Sequence, residues 1–346
     1  MDRAFWRGRR VLITGHTGFK GAWLASVLLR SEAIVTGLAL EPAGQHNLFE
    51  VLELRRRMHS VIGDIRDKKH LRMVVAETQP QIVFHLAAQA IVRTSYRDPL
   101  ETFDTNVMGT AKVLESLRGV EGLAAAIVVT SDKCYRNREW IWPYREDDAL
   151  GGEDPYSASK AATELVAHAY AASYDDLPPV LTARAGNVIG GGDWSVDRLV
   201  PDIVAASAEG RAPVLRYPGA VRPWQHVLDP LHGYIVLAER ASRGEDISGA
   251  WNFGPSDSGA TVGQLTEALL QALGRPPSWE TIGDAQPHEA GTLRVDSTKA
   301  RQLLGWRSKL STSDAIDWTA RWYRDWMMGA DMIGATDKQI DEYAGR

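Results

Sequence analysis

The chain predicts an α/β fold, a doubly wound parallel sheet with a smaller C-terminal lobe lying over the ends of its strands. Three observations carry this expectation. Short apolar runs alternate with stretches of helical spacing from residue 11 to residue 184. A glycine-rich turn, Gly15-His-Thr-Gly18-Phe-Lys-Gly21, joins the first apolar run to the first helical stretch. Beyond Arg184 the rhythm loosens into Gly186-Asn-Val-Ile-Gly-Gly-Gly-Asp193, followed by short helical stretches with Pro-rich and Trp-rich turns.

Taken in order, residues 11–14 read as a buried strand, and residues 18–30, with Leu24, Val27 and Leu28 at helical spacing, as the helix behind it. Residues 34–38 form the second strand and 60–62 a short third, ending at Asp64. A helix runs through residues 71–75, and residues 81–86 make the fourth strand. Pro99 opens a long helix that reaches Leu117, since a residue without an N–H loses nothing in a first turn. Residues 125–130 are too continuously apolar to face water, so this strand is buried on both sides. A helix over 156–170 and a strand over 180–184 complete the βαβ series, with a right-handed crossover at each step. The expected division assigns residues 1–185 and 226–256 to a dinucleotide-binding domain. Residues 186–225 and 257–346 form the lobe, and no internal repeat or low-complexity tract is present.

A length of 346 residues with 44% hydrophobic content is enough for a sizeable core. The net charge of -5 is spread along the chain without a block of one sign, which gives no support to nucleic-acid binding. Cys134 is the one cysteine, so neither an internal disulfide nor a cysteine-built metal site is expected. The apolar stretch after the basic start ends at Gly15, too short for a signal peptide, and no later run approaches a membrane span. The expectation is a cytoplasmic protein with no membrane or metal partner.

In the glycine turn, Gly15 allows the sharp bend after the strand, Gly18 lets the backbone approach a pyrophosphate, and Gly21 lets the helix lie close to the sheet. This is a Rossmann-type arrangement with one extra residue in its first gap. The acidic residue that takes the adenosine ribose is not clearly present: the second strand ends near Ala39, and Glu41 falls two positions late. No arginine follows that strand directly, which favours NAD over NADP. Asp64 and Ile65, after the third strand, are candidates to bracket an adenine.

Tyr156 and Lys160 stand four residues apart in Asp154-Pro-Tyr-Ser-Ala-Ser-Lys160, one helical turn from each other. A phenol is a weak base at neutral pH unless a cation lowers its pKa, and Lys160 is assigned that charge. Thr130-Ser-Asp-Lys133 ends an apolar strand, at the sheet edge where a nicotinamide would lie. A base and a dinucleotide together point to proton and hydride transfer at a carbinol carbon. His226 and His288 are read as structural, Cys134 as a buried filler, and most of the twelve tryptophans as packing.

The segments Leu12-Ile-Thr-Gly-His-Thr-Gly-Phe-Lys-Gly21, His85-Leu-Ala-Ala-Gln89, Thr130-Ser-Asp-Lys-Cys-Tyr135, Tyr156-Ser-Ala-Ser-Lys160, Arg184-Ala-Gly-Asn-Val-Ile-Gly-Gly-Gly-Asp-Trp194 and Arg222-Pro-Trp-Gln-His-Val-Leu-Asp229 carry a resemblance. Over nearly its whole length the chain resembles the nucleotide-sugar 4,6-dehydratases of the extended short-chain dehydrogenase/reductase family. The resemblance implies NAD held by Gly15, Thr17, Gly18, Phe19, Gly21, Asp64, Ile65, Leu86, Ala87, Ala88, Asn106, Tyr156 and Lys160. It implies Tyr156 as the base at the hexose C4 hydroxyl, Ser131 holding that hydroxyl, and Asp132 protonating the departing C6 hydroxyl. Better-known members carry Glu, the C5 base, where this chain has Lys133, so Lys133 is either a base of lowered pKa or a stabiliser of the C5 enolate. Asn187, Arg198 and Arg222 are expected on a nucleotide-sugar substrate, whose diphosphate favours guanidinium groups. A homodimer paired through a four-helix interface is also implied. The rival readings are a 4-epimerase on the same scaffold and a non-catalytic dinucleotide sensor.

Overall fold

Apolar runs buried on both faces can satisfy their backbone groups inside a parallel sheet. A computed structural model of the chain describes residues 1–44, 46–281 and 293–346. It contains β1 (Arg10–Thr14), β2 (Ile34–Ala39), β3 (His59–Ile62), β4 (Ile82–His85), β5 (Ala125–Val129) and β6 (Val180–Arg184). A seventh strand, Gly249–Asn252, pairs with β6; its four residues are too short a run to stand out in the sequence. All seven are parallel, in the order Gly249–Asn252, β6, β5, β4, β1, β2, β3. The winding reverses between β1 and β4, which opens a crevice at their carboxyl ends.

The side chains of each strand alternate between two cores. Val11 and Ile13 of β1, with Ile127 and Val129 of β5, face a large core that holds Trp6, Trp23, Trp251, Trp306 and Trp322. Leu12 and Val128 face the opposite core, under the helices Lys68–Thr78 and Gly109–Ser116. The helix Phe19–Leu29 is buried from Gly21 to Leu28 because it packs on the sheet and against the helices Leu48–Val51, Leu54–Arg57, Leu228–Ser242 and Met332–Gly345. Arg30 at its end donates to Asp337 at 3.0 Å. His226 is fully buried edge-on to Trp23 and Trp318, consistent with a packing role; His288 lies outside the described residues.

The long helix expected from Pro99 is interrupted. An α-helical stretch, Pro99–Phe103, passes through a π turn, Asp104–Met108, into Gly109–Ser116. Beside it lies the helix Pro155–Ser173, started by Asp154, whose side chain accepts from Ser157 N at 2.9 Å, and by Pro155 in the first turn. Beyond β6 the chain forms short strand pairs, residues 188–189 with 225–226, 221–222 with 260–261 and 214–215 with 280–281. Residues 188–189 and 214–215, Arg222 and the first turn of the helix Leu199–Ala208 share one cavity with the strand ends.

Candidate active site

Side chains just past β1, β4 and β5 meet at one edge of the sheet, because parallel strands all finish on the same side. There they enclose a cavity of about 1420 Å³. Gly15 turns the chain after β1 with φ +82°, and a Cβ on it would lie 2.7 Å from Ala87 N. A methyl on Gly21 would overlap the Gly15 carbonyl, so the helix starts hard against the turn. A Cβ on Gly18 would meet only that carbonyl oxygen, at 3.4 Å, and no side chain caps the helix. The first-turn N–H groups therefore border a cradle that suits a pyrophosphate. Thr17 Oγ1 donates to Leu40 O at 3.0 Å, and Phe19, Leu86, Ala87 and Ala88 line the same wall.

Asp64 and Ile65 also line the cavity, with the Asp64 carboxylate already engaged. It accepts from Arg66 Nη2 at 2.6 Å and Arg66 N at 2.8 Å, and those hydrogen bonds hold its pKa below the usual range. Glu41 does reach the wall, two residues past β2, where Arg55 pairs with it at 3.1 Å. Asn106 stands behind the wall rather than on it. From the π turn its Nδ2 donates to Gln89 O at 3.0 Å and Ser159 Oγ at 2.8 Å, while its Oδ1 accepts from Gln89 N at 2.8 Å. It braces the loop after β4 against the Tyr156 helix.

At the end of β5, Ser131 caps the tight turn Asp132–Cys134, its Oγ accepting from Lys133 N at 3.2 Å. Ser131 Oγ donates to Asp132 Oδ1 at 3.0 Å, and Asn187 Nδ2 donates to Asp132 Oδ2 at 3.3 Å. Lys133 Nζ lies 3.6 Å from Asp132 Oδ1, with about a third of its side chain exposed (34%) against 2% for Asp132. Tyr156 and Lys160 are both buried and both on the wall. Burial pushes the Tyr156 hydroxyl up, while the Lys133 charge and a hydrogen bond with Ser131 pull it back.

Lys133, followed by Arg198, draws the phenol down most, and Lys160, the cation expected from sequence, lies on the same wall. Lys160 lies deeper: its Nζ donates to Val129 O at 3.5 Å, and burial lowers its pKa to about 8 against the opposing charge of Glu164. Glu164 itself accepts from Thr130, from Thr182 at 2.6 Å and from Arg184 at 2.8 Å, which joins β5 and β6 to the Tyr156 helix. Cys134 is buried beside this network, and burial raises its thiol pKa, as suits a filler.

Arg198 donates to Asp193 Oδ2 at 3.0 Å, and Arg222 lines the cavity with its Nη1 donating to Val221 O at 3.1 Å. Several cations on the wall escape sequence reasoning, Lys20 and Arg216 among them. Lys20, the one cation inside the glycine turn, has a pKa lowered to about 7 by burial and by Arg198, Lys160 and Lys133, with Asp132 opposing. Its place between Phe19 and Gly21 was the available signal. Arg216 gives none, because a lone arginine in a turn-rich stretch reads as solvated surface. No group able to hold a metal ion is found among the described residues.

Residues 12–319 match the family model described as GDP-mannose 4,6 dehydratase. A CDP-glucose 4,6-dehydratase from Salmonella typhimurium is 46% identical over 99% of this chain and 98% of its own length. The chain belongs to the nucleotide-sugar 4,6-dehydratase family of enzymes. A dTDP-glucose 4,6-dehydratase from Streptomyces griseus is 30% identical, covering 91% of this chain and 95% of its own. Among solved structures, a double mutant of the dTDP-glucose 4,6-dehydratase from Streptomyces venezuelae, with NAD bound, superposes with a TM-score of 0.80. It is 27% identical and covers 94% of this chain and 99% of its own. A UDP-glucose 4-epimerase from Thermotoga maritima reaches a TM-score of 0.82 at 23% identity over 92% of this chain and 99% of its own, a likeness of fold. The sheet described above is therefore the Rossmann-type sheet of the extended short-chain dehydrogenases, the family to which these dehydratases belong.

Proposed function

We propose that this chain converts CDP-glucose to CDP-4-keto-6-deoxyglucose and water, using NAD. The observation that carries the reading is the turn Ser131, Asp132, Lys133 set beside Tyr156: a base for a hydroxyl next to a buried carboxylate and an ammonium. The 46% identity to a CDP-glucose 4,6-dehydratase supports the choice of nucleotide. The glycine cradle fits a dinucleotide, with Gly15, Thr17, Gly18, Phe19 and Gly21 at its pyrophosphate and Leu86, Ala87 and Ala88 along its length. Residues 1–185 and 226–256 form the dinucleotide-binding part, and 186–225 and 257–346 the nucleotide-sugar lobe.

NAD, when bound, supplies the acceptor of a hydride from the hexose C4 and then its donor to C6. Tyr156 takes the proton of the C4 hydroxyl, which Ser131 holds in place. The ketone at C4 acidifies the C5 proton, which is released to solvent, while Asp132 passes a proton taken up from solvent to the C6 hydroxyl as it leaves as water; hydride return to C6 is then matched by a solvent proton at C5. The donors around Asp132, Ser131 Oγ and Asn187 Nδ2, keep its carboxyl group aimed. Lys133, ion-paired at 3.6 Å, suits the stabilising of an enolate oxygen. Lys133→Met in deuterated solvent checks this: the expected outcome is a fall in turnover of about 10²-fold or more with C5 deuteration persisting in the product. Deuteration at the normal rate would remove Lys133 from the step.

An epimerase requires no acid at C6, and a sensor has no use for a buried base, so the site favours dehydration over both. Incubation with CDP-glucose, and separately with dTDP-, UDP- and GDP-sugars, distinguishes them by mass. Loss of one water identifies dehydration, unchanged mass with altered stereochemistry an epimerase, and no turnover a sensor. A homodimer through the helices over residues 99–116 and 155–173 is part of this reading. Its support is the apolar side chains they expose: Leu100 (80%), Met108 (50%) and Leu165 (60%). No described helix is long and apolar enough to cross a membrane. A cytoplasmic setting is supported by the lone, buried and free Cys134.

A further inference from the structure

Two side chains of one helix dock on consecutive residues where β5 ends. Lys160 and Glu164 stand one turn apart on the helix Pro155–Ser173, and both are buried. Lys160 Nζ donates to Val129 O at 3.5 Å, while the Glu164 carboxylate accepts from the hydroxyl of Thr130, the next residue. The other oxygen of Glu164 accepts from Thr182 Oγ1 at 2.6 Å and from Arg184 Nη2 at 2.8 Å, both on β6. All three partners donate, which matches a carboxylate in its ionised, acceptor-only form. Arg184 is held in turn, its Nη1 donating to Tyr135 Oη at 2.8 Å and to Glu146 O at 2.9 Å.

Lys160 itself has no direct counter-ion: its hydrogen bond goes to a carbonyl, and it forms no ion pair among the described residues. The groups that face it from neighbouring elements supply none either. His85, on β4, is neutral, its pKa lowered to about 3 by burial and by Lys160. Burial raises the thiol of Cys134, after β5, and Lys20, on the helix Phe19–Leu29, repels Lys160 as a like charge. Against its burial, the first charge that favours the Lys160 ammonium is that of Glu164. We propose that Glu164 is a positioning residue for Lys160: its carboxylate, clamped by Thr130, Thr182 and Arg184, supplies the charge that keeps Lys160 an ammonium on the cavity wall. The consequence for catalysis rests on the dinucleotide reading above. The pyridinium of oxidised NAD adds a cation to that wall and favours loss of the Lys160 proton, which a carboxylate behind the lysine opposes.

The test is the titration of Lys160 in the full chain, followed by NMR of lysine isotope-labelled at Cε, with the Lys160 signal identified by its absence from Lys160→Met. Glu164→Gln keeps the size of the side chain and removes its charge, and it is expected to bring the midpoint down by about one pH unit or more. Glu164→Asp keeps the charge and should leave the midpoint within about half a unit of the wild type. Where Glu164→Gln alone does not fold, because Arg184 is left buried without a counter-ion, Glu164→Gln combined with Arg184→Met removes both charges. The same downward shift is expected there, since Glu164 and not Arg184 acts on Lys160. Turnover of CDP-glucose by the wild type decides the dehydratase reading separately. With turnover, the rate lost as pH rises through the Lys160 midpoint should be lost at lower pH in Glu164→Gln and recover its place in Glu164→Asp. An unchanged midpoint on removal of the charge would leave Glu164 a tie between strands and helix only, and overturns the proposal. A midpoint that falls as far in Glu164→Asp as in Glu164→Gln overturns it as well, because charge would then not be the cause.

Discussion

Lys20, on the cavity wall, titrates far below the ordinary amine range. It makes no hydrogen bond or ion pair among the described residues, and its pKa is lowered to about 7 by burial and three nearby cations. Linkage fixes the sign of the effect on stability. Between about 7 and the ordinary 10.5 the unfolded chain binds a proton that the folded chain does not, so stability rises with pH across that window. Below about 7 the folded protein carries the buried cation and bears its full penalty. Lys20→Met should therefore raise the melting temperature by about 3 °C or more at pH 6, the gain shrinking as pH rises from 7 towards 10.5. Turnover should fall in the same variant, because the cation faces Asp132. Thermal melts across pH check it, and a gain that does not vary with pH would mean the amine is not the source. Lys160, lowered to about 8 by burial, adds a slope of the same sign in the wild type.

Element geometry sets the aim of the acid. Gly186 follows β6, and a methyl at that position would overlap the Asp132 carboxylate. Gly186→Ala should displace that carboxylate and leave the glycine turn, on another strand, unaltered. The expected result is a fall of about 10²-fold in water loss while reduced nicotinamide accumulates, since C4 oxidation needs Tyr156 and not Asp132. Water loss at the wild-type rate would show that Asp132 tolerates displacement. The π turn Asp104–Met108 works similarly at a distance, turning Asn106 inward so that it ties Gln89 to Ser159 on the Tyr156 helix. Helical spacing from Pro99 predicts the helix but not this turn, because a π turn adds one residue without altering the local composition that marks a helix.

For the molecule as a whole, Leu100, Met108 and Leu165 leave large apolar side chains exposed on the helices over residues 99–116 and 155–173. Leu165→Asp should convert the proposed dimer to a monomer by sedimentation at micromolar concentration without a comparable loss of NAD binding. A wild type that sediments as a monomer would remove the dimer from the reading. The substitution should change folding stability by less than about 1 kcal/mol in the monomer, since the side chain is 60% exposed there.

The first six strands, the nucleotide-binding turn and the cluster at the end of β5 could be read from the chain because each depends on neighbours a few residues away. Apolar runs such as residues 125–129 leave no alternative to a sheet interior, and the spacing of Gly15, Gly18 and Gly21 is a local steric requirement. What could not be read depends on groups brought together from distant segments. The cation that draws the Tyr156 hydroxyl down most against its burial is Lys133, twenty-three residues earlier in the chain. The meeting of Arg93 and Arg216 at Asp197 joins a helix past β4 to the turn after residues 214–215. Spacing along a sequence encodes contacts within one element, whereas electrostatic coupling follows distance through space, and folding sets that distance.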